Sequence, residues 1–333
     1  MLKRAATLTV AATLTAVALS ACGSTKSEDN SSAGGPWKYT DASGKTVKLD
    51  KTPKRIIAHA GEAAALMSFG IKPVGIYGDM PRKDDPNLKG LDLDGIANLG
   101  EVWGEIDVEK AATLNADLIV ADWWPVEKQY SGLEEGTKAS SKKLTKLAPI
   151  VGSAQGDSIV TLIEGYEELA ESLGADLDDS KVAAGQKEFD TAVANFKKTT
   201  AAKKGLTALA VSPTEDLLYV AVPEHAPELL DFQKWGLDVI EPSAPDKKFP
   251  YWENLSWENA DKYQPDLLLM DDRAYPGNVK LADKQPTWQN VKAAKSGATV
   301  PWPAYWLHTY PDYAKQLEAL TKALNSADTS IGS

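Results

Sequence analysis

At 333 residues, 43% hydrophobic and 25% charged, the chain is globular in composition and long enough to bury two cores. A formal net charge of −11, from 47 acidic against 36 basic side chains, argues against nucleic acid or an anionic membrane surface as partner. The single cysteine, Cys22, excludes an intramolecular disulfide.

Lys3 and Arg4 lead into an apolar run from Ala5 to Leu19 that is too short to span a bilayer, so residues 1–21 read as a secretory signal peptide. The run ends in Leu19-Ser20-Ala21-Cys22, which resembles the lipobox of bacterial lipoproteins. That resemblance implies cleavage before Cys22, lipidation of its sulfur and an extracytoplasmic protein anchored to the cell membrane. Residues 22–36, rich in Ser, Gly, Asp and Asn, read as a flexible tether reaching at most about 45 Å. No other stretch is apolar enough to cross a membrane, so the anchor is the only expected membrane contact.

Trp37–Thr40 and Thr46–Leu49 alternate as a hairpin. The first core strand follows over residues 53–58 and ends at His59; a helix over Glu62–Phe69 stops at Gly70, and a strand over Pro73–Tyr77 comes next. Residues 106–120 then return, in pattern, as residues 255–269: a capping residue (Asp107, Ser256), a short helix with a glutamate in its first turn (Glu109, Glu258), an aspartate turn (Asp117, Asp266) and an apolar strand. Asp122, Trp123 and Trp124 lie just past the first of these strands, and Ile150-Val151 makes a short fourth strand ending at Ser153.

Ile159, Leu162, Ile163, Tyr166, Leu169, Ala170 and Leu173 recur at helical spacing, with Asp157 as the expected cap and Gly174 as the stop. A second amphipathic helix carries Val182, Phe189, Val193 and Phe196 towards Gly205 and a strand over Leu206–Val211. Glu228–Val239 loosely repeats the helix-glycine-strand phrase of Ala63–Val74; strands at Leu267–Met270 and Thr299-Val300 and a helix after Pro311 complete the chain. The expected fold is therefore α/β: two similar lobes with mainly parallel central sheets, over 37–155 and 176–333, joined by one long interdomain helix over 156–175.

Parallel sheets bind ligands beyond the carboxyl ends of their strands, and two lobes of one design leave a cleft between them. Those ends carry His59, Tyr77 and the loop to Arg82, Trp123 and Trp124 in the first lobe, with Trp103 before the repeated helix. In the second they carry Arg273 with Tyr275, Trp302, Tyr305 and Trp306, with Tyr251 and Trp252 before the repeated helix. Seven of the ten tryptophans fall on or beside these edges, where only Arg82 and Arg273 supply guanidinium groups. Such a cleft suits a bulky, partly apolar ligand, and its rings can hold cationic groups at roughly 0.5–2 kcal/mol each. A glutamate in a first helical turn gains about 0.3–1 kcal/mol from the helix dipole alone. Two at matched places also make a pair of negative points for a two-subunit partner.

These residues resemble the helical-backbone class of ABC-importer substrate-binding proteins, which includes binders of ferric siderophores, cobalamin and haem. The likeness covers roughly Arg55 to Leu320 and rests on Arg55-Ile-Ile-Ala followed by Glu62–Gly70, on the paired phrases Ala-Asp-Leu-Ile-Val and Pro-Asp-Leu-Leu-Leu, and on the long helix between lobes. It implies a non-enzymatic monomer without a cofactor that captures a ferric siderophore and docks on an ABC permease dimer through Glu109 and Glu258. Catecholate and citrate binders of this class line the cleft with several basic residues, so the scarcity of arginine points to a hydroxamate complex of low negative charge. Some hydroxamate binders place an arginine after the Leu-Gly before the first repeat, where this chain has Leu99-Gly100-Glu101-Val102-Trp103.

Other ligands and one other class make different demands on the same residues. Bare divalent metal needs converging ligands, and of His59, His225 and His308 only His59 sits at an expected strand end, so no metal site is expected. Haem would use His59 or a cleft tyrosine, and cobalamin belongs to the same class. For a secreted hydrolase, Gly152-Ser153-Ala154-Gln155-Gly156 has the wrong glycine spacing for a nucleophile turn.

Overall fold

A computed structural model describes residues 35–274, 276–304 and 307–332. The signal segment, Cys22, the tether up to Gly34, Tyr275, Tyr305 and Trp306 lie outside the described residues.

The first strands, β1 (Trp37–Thr40) and β2 (Thr46–Leu49), pair antiparallel and bury Trp37 and Val47 from alternating positions. Next come β3 (Ile56–His59), α1 (Ala60–Ser68), β4 (Gly75–Gly78), β5 (Ala97–Glu101), α2 (Val108–Thr113) and β6 (Leu118–Val120). A two-stranded hairpin, β7 (Trp123–Trp124) and β8 (Gln129–Tyr130), precedes β9 (Ile150–Val151). Strands β5-β4-β3-β6-β9 form an all-parallel sheet in that order. Its central strands are apolar on both faces because both are covered: Ile56 and Ala58 of β3 join one core cluster and Ile57 the other, as do Leu118 and Val120 against Ile119 of β6.

Helices α3 (Ile159–Ser172) and α4 (Ser180–Ala202) lead to the second sheet. There follow β10 (Thr207–Pro213), β11 (Leu217–Ala221), α5 (Pro227–Lys234), β12 (Asp238–Val239), β13 (Trp252–Ser256), β14 (Leu267–Asp271), α6 (Gly277–Ala282), α7 (Lys292–Ser296), β15 (Thr299–Trp302) and α8 (Tyr310–Ser326). The sheet order is β13-β11-β10-β14-β15, with β12 beside the first half of β10. Here β11 runs against both neighbours, so this sheet is mixed where the first is wholly parallel.

The start of α3 differs from expectation. Ser158, not Asp157, is the cap: its Oγ accepts from the Val160 N–H at 3.1 Å and donates to Asp231 Oδ1 at 2.5 Å. Asp231 of α5, 1% exposed, also accepts the Ile159 N–H at 3.0 Å and the Tyr313 hydroxyl of α8 at 2.9 Å, so one carboxylate ties three helices together. Helix α3 packs on α1, β1 and α5, and one apolar cluster continues through it beneath both sheets.

The internal repeat shares a purpose more closely than a shape. Asp107 caps α2 by accepting the Lys110 N–H at 2.9 Å, whereas its counterpart is a 3-10 segment, Trp257–Lys262, interrupted at Asn259. The repeated aspartates act alike. Asp117 accepts the Lys54 and Arg55 N–H groups ahead of β3, and Asp266 accepts the Thr207 N–H and hydroxyl at the start of β10. Each fastens its lobe's first core strand to the strand that closes the repeat.

Candidate functional site: an acidic, aromatic cleft

The carboxyl ends of the two sheets face a cleft of about 660 Å³. Its floor is a buried polar network. His59, at the end of β3 and the start of α1, donates from Nδ1 to Glu62 Oε2 at 2.9 Å, while its Nε2 stands 3.3 Å from Asp79 Oδ2, just past β4. Asp122, just past β6, donates its N–H to Glu62 Oε1 and accepts from Tyr166 of α3 at Oδ1. Its Oδ2 accepts from Gln155 Nε2 at 2.7 Å and from His308 Nε2, in the loop before α8, at 2.8 Å. The His308–Asp122 pair joins the two lobes, and Gly61 makes room for it, since a Cβ there would overlap the His308 ring.

Opposite charges face one another inside this network. Burial opposes the imidazolium of His59, yet Glu62 and Asp79 outweigh it and raise the pKa well above that of a free histidine. Burial likewise opposes the Asp122 carboxylate, but His308, Tyr166 and Gln155 hold its pKa below the ordinary range.

The walls are aromatic. Trp124 lines the cleft, donates from Nε1 to Ser131 Oγ at 2.9 Å and meets Tyr251 of the other lobe edge-on at 6.2 Å between centroids. Tyr251 donates its hydroxyl to Glu127 Oε2 at 2.7 Å, a second link across the lobes. Trp252 completes this wall, and Trp103 and Phe249, 45% and 55% exposed, stand at the rim. Among these rings are six carboxylates, those of Asp79, Asp85, Asp122, Glu127, Glu134 and Glu135, against Lys248, Arg273 and the two histidines that face Asp79 and Asp122. Burial raises the Glu134 carboxyl pKa, and its Oε2 is enclosed without a hydrogen-bond partner.

The residues expected at the site therefore divide. His59, Trp103, Trp124, Tyr251, Trp252 and Arg273 line one cleft. Tyr77 is 1% exposed behind His59 and donates to the Ser131 carbonyl at 3.1 Å. Arg82 is turned to the main chain, donating to the carbonyls of Ile76, Ala97 and Ile96, because the loop after β4 folds back beside β5. Trp123 packs on Tyr130 at 5.0 Å, on the opposite side of β7 from Trp124. Trp302 is buried beneath Trp252, at 6.0 Å between centroids. Arg273 forks onto the Asp271 carboxylate at the end of β14. Glu109 and Glu258 are exposed, each in the first turn of its repeat.

Sequence reasoning missed His308, Glu127, Glu134 and the acidic balance of the site. The one signal available was the density of carboxylates in residues 79–85 and 127–135, next to expected strand ends.

Residues 104–305 match the family model described as periplasmic binding protein. Among solved structures the chain is similar to DesE, a ferric-siderophore receptor protein from Streptomyces coelicolor. The two are 34% identical, the match covers 88% of this chain and 99% of that one, and the TM-score is 0.79. The petrobactin-binding protein YclQ from Bacillus subtilis shares the fold at 19% identity and TM-score 0.64, over 87% of this chain and 99% of that one. A curated relative from Bacillus subtilis (strain 168), the Fe(3+)-citrate-binding protein YfmC, is 24% identical over 260 residues, 77% of this chain and 75% of its own.

Proposed function

Because the chain belongs to the periplasmic binding protein family, we propose that it is the lipid-anchored, extracytoplasmic capture protein of an ABC importer. Its ligand is a ferric siderophore of hydroxamate type and low negative charge. The observation that carries this reading is the charge of the cleft: beyond Asp79 and Asp122, which face His59 and His308, it carries Asp85, Glu127, Glu134 and Glu135 against Lys248 and Arg273, with Arg273 already engaged by Asp271. A ferric tris-catecholate or citrate complex is an anion and would be repelled there; a trihydroxamate complex is neutral at the metal and tolerates or gains from the same field. Such a chelate fills the iron's coordination sphere itself, leaving the protein to supply shape and apolar contact, which Trp103, Trp124, Tyr251 and Trp252 offer.

The Leu-Ser-Ala-Cys22 sequence supports the anchor. Exposed Glu109 and Glu258 support delivery by a monomer that sets one carboxylate of each lobe on the permease. Titration of intrinsic tryptophan fluorescence with ferric trihydroxamate, tris-catecholate and citrate complexes tests the ligand. Quenching by the hydroxamate at concentrations at least a hundredfold lower is expected; tighter binding of either anion overturns the assignment.

A further inference from the structure

We propose that Glu62, Asp122 and His308 form a three-ligand binding site for a transition-metal dication of the zinc type, in the floor of the cleft. The inference is independent of the siderophore assignment. One ligand atom each from Glu62, Asp122 and His308 lies within 4.8 Å of the others, and all three residues are buried. His59, whose Nδ1 is 2.9 Å from Glu62 Oε2, stands behind Glu62 as its outer partner, and the fourth position is left to the cleft that Asp122 and His308 line. One imidazole nitrogen with two carboxylate oxygens suits zinc, cobalt(II) or manganese(II) better than calcium and magnesium, which take oxygen ligands.

The surroundings have the form of an outer shell. His59, itself held by Asp79, backs Glu62, and Tyr166 and Gln155 orient Asp122. Metal bonds of about 2.0–2.1 Å require nitrogen and oxygen ligands to stand roughly 3.3 Å apart in a tetrahedron. The His308–Asp122 contact, at 2.8 Å, must therefore open by a few tenths of an ångström as the cation takes the place of the shared proton. His308 comes from the other lobe, so a small relative shift supplies that room. The entry path is the cleft, which Asp122 and His308 both line. A bound dication would join two ligands of the first lobe to one of the second.

The test uses tag-free mature protein without siderophore, titrated calorimetrically with zinc chloride. One ion per chain is expected, with affinity at least tenfold weaker in Glu62→Gln and in His308→Gln. X-ray absorption of the zinc-loaded wild type needs no variant to fold: one imidazole among oxygen ligands is expected, in a chain with only three histidines. Absence of saturable binding of zinc, cobalt(II) and manganese(II), no imidazole on the zinc, or unchanged affinity in both variants overturns the proposal.

Discussion

Two adjacent tryptophans should respond in opposite ways to the same substitution. A strand sends consecutive side chains to opposite faces, and in β7 this puts Trp124 in the cleft and Trp123 against Tyr130. A buried indole covers up to about 250 Å², and the face that Trp124 leaves to a ligand is on the order of 80–100 Å². At about 25 cal/mol per Å², Trp124→Ala should weaken binding by roughly 2–2.5 kcal/mol, some thirty- to seventyfold. Trp123→Ala removes no ligand contact and should change the dissociation constant less than threefold. Its effect should fall on stability, about 1–2 kcal/mol from the lost ring pair and partial burial. Calorimetric titration with a ferric trihydroxamate measures affinity without relying on the fluorescence of the residues removed. Equal losses in the two variants, or a larger loss in Trp123→Ala, would refute the assignment of faces.

Charge reversal of Glu109 and Glu258 together should abolish uptake by whole cells while the purified protein keeps its ligand affinity; a parallel fall in affinity would place these carboxylates in the site. Asp231→Ala strands a buried Tyr313 hydroxyl and the first amide of α3, at about 1–3 kcal/mol for each orphaned group. The expected loss in urea denaturation is therefore about 3–5 kcal/mol, and a loss under 1 kcal/mol would show that α3, α5 and α8 do not depend on that carboxylate.

The elements legible in the sequence were those whose signal is local. Two-sided apolar strands such as Ile56–His59 and Leu118–Val120 announce themselves by composition, and Gly70 and Gly174 end their helices by taking positive φ. Strand β5, Ala97–Glu101, was not legible: it buries only Leu99 well and carries Asn98 and Gly100, so it owes its pairing to β4. Strand β11 was missed as well, and its antiparallel direction depends on the short turn after Pro213.

The site followed the same division. Its location at the strand ends was legible, while the direction of individual side chains was not. Arg82 reads as a cleft cation until the main-chain carbonyls of Ile76, Ile96 and Ala97 claim its guanidinium. His308 sits in an unremarkable stretch before a helix, and only the packing of one lobe on the other brings it to Asp122. The choice of Ser158 over Asp157 as cap depended likewise on Asp231, more than seventy positions away.

The apolar cluster that passes through α3 beneath both sheets bears on how a cargo enters and leaves. Spreading the jaws widely would expose this shared mass to water, at about 2.5 kcal/mol for every 100 Å² uncovered. The base of the molecule thus acts as a stiff spring, confining easy movement to small tilts and to the rings at the lip. On the function proposed above, a vessel so built would discriminate by fit to a mould that already exists, and emptying it would fall to whatever grips the two lips from outside.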